Sequence, residues 1–178
     1  MTSSLSEIQL VTASPRETRA RLRFGDVEVP CAIGRSGIDH RKREGDGLTP
    51  VGVWPMRRVL YRPDRLPAPD TGLATSALEP DDGWCDDPAD PVRYNRPVKL
   101  PYDGSHERMW RDDHLYDIVV VLGHNDDPPV SGMGSAIFMH VARDDYGPTE
   151  GCIALSREDL LRVLSRCGPR TVVRVGDS

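Results

Sequence analysis

The sequence has no excess of positive charge. Its 178 residues carry 23 Lys and Arg against 28 Asp and Glu, for a formal net charge of −5. Without a basic footprint the chain lacks the electrostatic term that dominates nucleic-acid affinity, so nucleic acid is excluded as a main partner. No apolar stretch approaches the length of a membrane span. The first ten residues hold neither a basic start nor an apolar run of leader length, so a cytoplasmic location is expected, or a periplasmic one if a leader has been removed. The four cysteines (Cys31, Cys85, Cys152 and Cys167) show neither close pairing nor metal-ligand spacing. They are expected as free thiols in a reducing compartment, with no metal and no cofactor. Internal repeats and low-complexity tracts are absent too. The length suits a single domain spanning residues 1–178.

What is present points to strands. Sixteen Pro and sixteen Gly imply many turns. Residues 7–12 and 18–24 alternate apolar and polar, and Val27 to Ile33 forms another strand-like run with Pro30 at an edge or bend. Val51 to Tyr61 is strand-like but interrupted by Pro55. Ile118 to Leu122 is continuously apolar, the signature of a strand buried on both faces. Ser135 to Val141 and Thr171 to Val175 read as further strands. One helix is expected after Ser156, which has an N-cap pattern with Asp159 three residues on. Its apolar face is Leu160, Leu161, Val163 and Leu164, and Gly168-Pro169 marks its end. Residues 62–92, rich in Pro and Asp, read as an irregular surface excursion. The expected fold is mainly β, a sandwich or roll with one or two short helices.

The chemistry concentrates at Cys152. Gly151 permits a tight bend just before it, and His140 ends the strand upstream, across a polar loop of Asp144-Asp145-Tyr146-Gly147-Pro148. A thiol is a weak nucleophile until a base takes its proton, and imidazole is the usual partner. The pair predicts acyl transfer through a thioester, with His140 as base and Cys152 as nucleophile. The backbone N–H groups of Gly151 and Cys152 are candidates for holding the oxyanion. A helix following the cysteine is expected to bring its positive end toward the thiolate and lower its pKa.

These residues resemble the L,D-transpeptidase catalytic domain, of YkuD type. Gly134-Ser135-Ala136-Ile137-Phe138-Met139-His140, followed by Thr149-Glu150-Gly151-Cys152-Ile153, is similar to that family's histidine, variable loop and Ser/Thr-x-Gly-Cys turn. Upstream, Gly34-Arg35-Ser36-Gly37, Lys42 and Gly45-Asp46-Gly47-Leu48-Thr49-Pro50-Val51-Gly52 resemble its glycine-rich segment ending in Thr-Pro-x-Gly. Tyr116 to Val121 and Gly123-His124-Asn125 resemble its central strand. Two positions depart from the pattern: Glu150 stands where many members have His, and Ala154 where many have Arg.

The resemblance implies a cysteine acyltransferase acting on peptidoglycan stem peptides or muropeptides. It implies a histidine oriented by a backbone carbonyl, here that of Val141, and a cysteine that carbapenems acylate. An amine acceptor would give L,D-transpeptidation; water would give L,D-carboxypeptidase action, favoured in the recycling of soluble muropeptides. Arg143 is the candidate for a substrate carboxylate in place of the missing arginine, with Arg35 and Lys42 in reserve. His124, Asn125, Ser135 and Thr149 are candidate substrate contacts. Cys85 is a weaker candidate for the same cleft, and His106 and Glu107 read by default as a solvated loop face, with substrate contact as the alternative. His124 with Asp126 and Asp127 fits no zinc spacing. The alternatives are a non-catalytic module that binds wall fragments and a thiol hydrolase of other peptides.

Overall fold

A computed structural model describes residues 4–176. In chain order the strands are β1 (Glu7–Val11), β2 (Arg19–Phe24), β3 (Val27–Ala32), β4 (Ile38–Asp39), β5 (Thr49–Pro50), β6 (Gly52–Tyr61) and β7 (Thr75–Ala77). They continue as β8 (Asp82–Cys85), β9 (Pro97–Lys99), β10 (His106–Arg108), β11 (Ile118–Leu122), β12 (Phe138–Val141) and β13 (Ile153–Leu155). Helix α1 (Arg157–Leu164) and strand β14 (Val172–Val175) complete the chain.

The main sheet runs β11-β12-β13-β3-β2-β1-β14-β6-β7, and β6 also pairs with β11. That extra pairing closes the sheet on itself, so the mainly β expectation resolves as a closed roll. Alternation sorts its side chains. Ile8, Leu22, Phe24, Met139, Ile153, Leu155 and Val173 point into one interior core, with α1 adding Leu160, Val163 and Leu164. Strand β11 is buried throughout: Ile118, Val120 and Leu122 join this core. Val119 and Val121 face the other way, into a second cluster with Trp84, Tyr116, Phe138 and Cys152. A strand buried on both faces needs no polar positions, which is why its sequence does not alternate.

The prolines behave differently from expectation. Strand β6 is not interrupted at Pro55; it continues to Tyr61. Its partner β14 covers Gly52 to Pro55, while β11 takes over from Met56. Pro55 therefore sits where the ladder changes partners, and its missing N–H is tolerated. Pro30 lies within β3 opposite Arg21. On its other side β3 meets β13 only at Ala32, so the proline there costs no ladder bond.

The excursion at 62–92 is not simply irregular. It contains β7 and β8, and β8 is the centre of a small sheet ordered β10-β8-β9. This sheet covers the outer face of β11 and β12, where Trp84 packs edge-on against Phe138 at 5.1 Å. Helix α1 starts as read. Ser156 accepts from the Asp159 N–H, but the Asp159 carboxylate takes the Ser156 hydroxyl rather than its backbone N–H.

Candidate active site

Strands β12 and β13 run parallel, with His140 opposite Ala154 and Met139 opposite Ile153. Met139 and Ile153 enter the inner core, so His140, Cys152 and Ala154 face outward, beneath the small sheet. The Phe138 N–H donates to Cys152 Sγ at 3.4 Å, which extends the register and sets Cys152 one diagonal step from His140. Both side chains line a single cleft of about 410 Å³, together with Glu107, Arg108, Arg111, Tyr116, Arg143 and Thr149.

The histidine is fixed by its neighbour's backbone. Its Nδ1 lies 2.8 Å from the Val141 carbonyl, an acceptor, so Nδ1 carries the proton and Nε2 is left as the basic nitrogen. Tyr116 meets the ring edge-on at 5.2 Å. Burial pushes the imidazole pKa down to about 4, with Arg111 and Arg143 adding to the effect and the Val141 bond opposing it. The thiol moves oppositely. Burial pushes Cys152 up to about 12, helped by the Glu107 charge. Its S–H points to the Ala136 carbonyl at 3.3 Å. Both shifts favour the uncharged forms, thiol and imidazole, before substrate binds.

The expected assistance from the helix is not realised. Strand β13 stands between Cys152 and α1, roughly 10 Å of chain at about 3.3 Å per residue. The helix dipole fades within its first turn, and the Arg157 guanidinium near that end pairs with Asp117.

The turn is braced by two threonines. Thr149 Oγ1 donates to the Cys152 carbonyl at 2.7 Å and accepts from the Gly151 N–H at 3.1 Å. The Gly151 N–H is therefore occupied and does not form the oxyanion site. The Cys152 N–H has no partner among the described residues and remains available. Thr49, fully buried, accepts from the Gly34 N–H and donates to the Gly151 carbonyl, each at 2.9 Å. That is the work of the Thr-Pro segment. Gly151 itself has φ of +137°, and a Cβ there would meet the Leu48 carbonyl at 2.7 Å.

With this geometry the comparison with known proteins is direct. The sequence profile of the L,D-transpeptidase catalytic domain (YkuD) matches residues 9–175. The chain belongs to this family. No curated protein matches it significantly. Among solved structures, the helical cell shape determining protein Pgp2 from Campylobacter jejuni is similar at 14% identity and a TM-score of 0.49. The match covers 99% of this chain and 49% of that one, so the chain spans about half the length of this relative. The family acts on peptidoglycan through a cysteine.

Arg143 and Thr149 reach the Cys152 cleft; His124, Asn125 and Ser135 do not line it. His124 packs against Trp54 at 4.8 Å, and burial with the nearby Lys42 charge pushes its pKa to about 4. Asn125 bonds Val130 and Gly134, closing the loop before β12. Ser135 donates to Glu44 at 2.7 Å. Of the three, Asn125 bonds the backbone of the loop that leads into β12. Lys42 is buried against Asp46, and Arg35 pairs with Glu150 at 2.9 Å. Cys85 contacts Tyr102 at 3.1 Å, outside the cleft.

Glu107, Tyr116 and Arg111 line the cleft without having been singled out as its main contacts. Tyr116 donates its hydroxyl to Glu107. Arg111 lies over the Tyr116 ring at 5.1 Å and is held by Asp113 through bonds of 2.9 and 2.6 Å. No local pattern marks them, because only the packing of the small sheet over β12 brings them to the cysteine.

Proposed function

We propose that this L,D-transpeptidase-family protein is a cysteine acyltransferase on peptidoglycan stem peptides. The observation that carries the reading is His140, held through Nδ1 by Val141 and sharing one cleft with Cys152. Cys152 rotates its S–H from Ala136 toward His140 Nε2. As sulfur attacks the carbonyl of the third residue, a diamino acid, the proton passes to Nε2. The oxyanion forms against the Cys152 N–H. Collapse breaks the peptide bond, and the terminal D-amino acid leaves with its amine protonated by His140. An acceptor that gives a proton to His140 then resolves the thioester and restores the thiol.

Water is the acceptor we favour, giving L,D-carboxypeptidase action on soluble tetrapeptides. Ala154 stands opposite His140 in the strand register and brings no charged group with which to hold a larger acceptor. Arg143 is exposed at the cleft without an ion-pair partner among the described residues, which supports a role in holding a substrate carboxylate. The test is intact-mass analysis after incubation with a carbapenem and, separately, with a tetrapeptide muropeptide. An adduct mapped to Cys152 and a tripeptide product are expected. No adduct, or one on Cys85, overturns the thioester; cross-linked dimers as the main product overturn the hydrolytic preference.

A further inference from the structure

In the cleft beside the cysteine lies a carboxyl group without an ion-pair partner among the described residues, and a second carboxyl lies near it outside the cleft. Glu107, on β10, lines the cleft and is half-buried. Its hydrogen-bond partner is the neutral Tyr116 hydroxyl. Asp86 follows β8, and its charge bears on Glu107. One Asp86 carboxylate oxygen is fully buried and has no hydrogen-bond partner. Neither side chain has an ion pair among the described residues. The arginine whose charge reaches Glu107 is Arg111, and its guanidinium is already committed to Asp113. Burial raises the Glu107 pKa, with the Asp86 charge adding to it, so a cation entering the cleft would favour its charged form.

Elsewhere in the cleft positive charge is unpaired, while the Glu150 carboxylate at its mouth is engaged by Arg35. Arg108 and Arg143 line the cleft and pair with no carboxylate among the described residues. One cleft therefore offers a deep carboxyl and guanidinium groups nearby. That arrangement suits a ligand carrying both an ammonium and a carboxylate.

We propose that Glu107 binds the free side-chain ammonium of the substrate's diamino acid, so that the enzyme selects stem peptides in which that amine is unmodified. The assignment rests on the Cys152 cleft being the substrate site. Glu107 is a substrate-selecting residue here and takes no part in proton transfer. A bound ammonium also offsets the negative charge that helps keep the Cys152 thiol protonated, so the correct substrate eases its own attack.

The experiment uses Cys152→Ala protein, in which binding is read without turnover. Two tetrapeptides are titrated by calorimetry: one with lysine third and a terminal D-amino acid, the other identical but acetylated on the lysine side chain. The free amine is expected to bind roughly 10- to 100-fold tighter, the range for a charge-assisted hydrogen bond. Adding Glu107→Gln should close the gap, since Gln still accepts from Tyr116 but carries no charge. Equal affinities in Cys152→Ala, a gap that survives Glu107→Gln, or binding of neither peptide overturns the proposal. Carbapenem acylation of the wild type separates the two readings. Acylation without discrimination removes only the ammonium site; discrimination without acylation removes only the thioester.

Discussion

Thr49→Val isolates the contribution of one hydroxyl to the catalytic turn. Thr49 is fully buried, and its Oγ1 joins the Gly34 N–H to the Gly151 carbonyl. Valine has the same branching, so no cavity opens. What remains is one backbone donor and one backbone acceptor without partners. Each orphaned buried group costs about 1–3 kcal/mol, giving a loss of about 2–6 kcal/mol. At this chain length 1 kcal/mol shifts Tm by about 2–4 °C, so the drop should be on the order of 10 °C. Thr49→Ser is the control. It keeps the hydroxyl and removes a methyl group, worth about 0.8 kcal/mol. Urea unfolding measures all three proteins, with an unchanged m-value required for comparison. Because Gly151 precedes Cys152, the valine variant should also acylate more slowly, and serine should restore the rate. A Thr49→Val protein within about 0.5 kcal/mol of wild type refutes the reasoning.

Burial favours the neutral thiol, so alkylation of Cys152 by iodoacetamide should keep accelerating with pH through 7 to 10; a plateau beginning near pH 6 would show a preformed ion pair instead. Turnover should fall only as the pH drops toward about 4, where the imidazole Nε2 takes a proton and ceases to be a base, and this limb is read from the pH dependence of kcat/KM. His140→Gln should cost on the order of 10²–10⁴ in rate, whereas His124→Gln, outside the cleft, should act mainly on stability; equal rate losses would misplace the base. Arg143→Ala should raise KM by the equivalent of about 1.5–3 kcal/mol while Cys152 still reacts with small thiol reagents, and unchanged kinetics would remove it from substrate binding.

How far the sequence foretells this molecule depends on whether the relevant contacts are local. The five apolar residues of β11 announce a strand covered on both faces, and it is. The Ser156 cap and the spacing of Leu160, Val163 and Leu164 announce α1. The Cys152 and His140 pair is legible because a turn glycine and a strand end are local features. Pro55 misleads, since whether a proline breaks a strand depends on which neighbour needs its N–H, a non-local matter. The Pro- and Asp-rich segment misleads similarly. It contributes β8, a strand of four residues with no alternating apolar face, as the centre of a small sheet whose β10, beyond that segment, supplies a wall of the cleft. His106 and Glu107, read by default as a solvated loop face with substrate contact as the alternative, line the cleft once that wall is in place.

The two departures from the family pattern can now be weighed by position. Glu150 is largely exposed at the mouth of the cleft, and its carboxylate engages Arg35. A charge there ties the turn to the segment carrying Gly34, whose backbone meets Thr149 across an isolated bridge. Ala154 is different, because it stands opposite His140 in the strand register. An arginine at that point would set a guanidinium directly beside the base. Here positive charge reaches the histidine instead from Arg111 and Arg143, one on the segment after the small sheet and one on the loop after β12. Both act to keep the imidazole neutral, which is the form able to accept the thiol proton. On the proposed reading, the charge that meets a substrate carboxylate lies on the flanking segments rather than on the strand. Carboxylate recognition is then expected to depend on the conformation of the 143–149 loop, while the nucleophile and base stay fixed by β12 and β13.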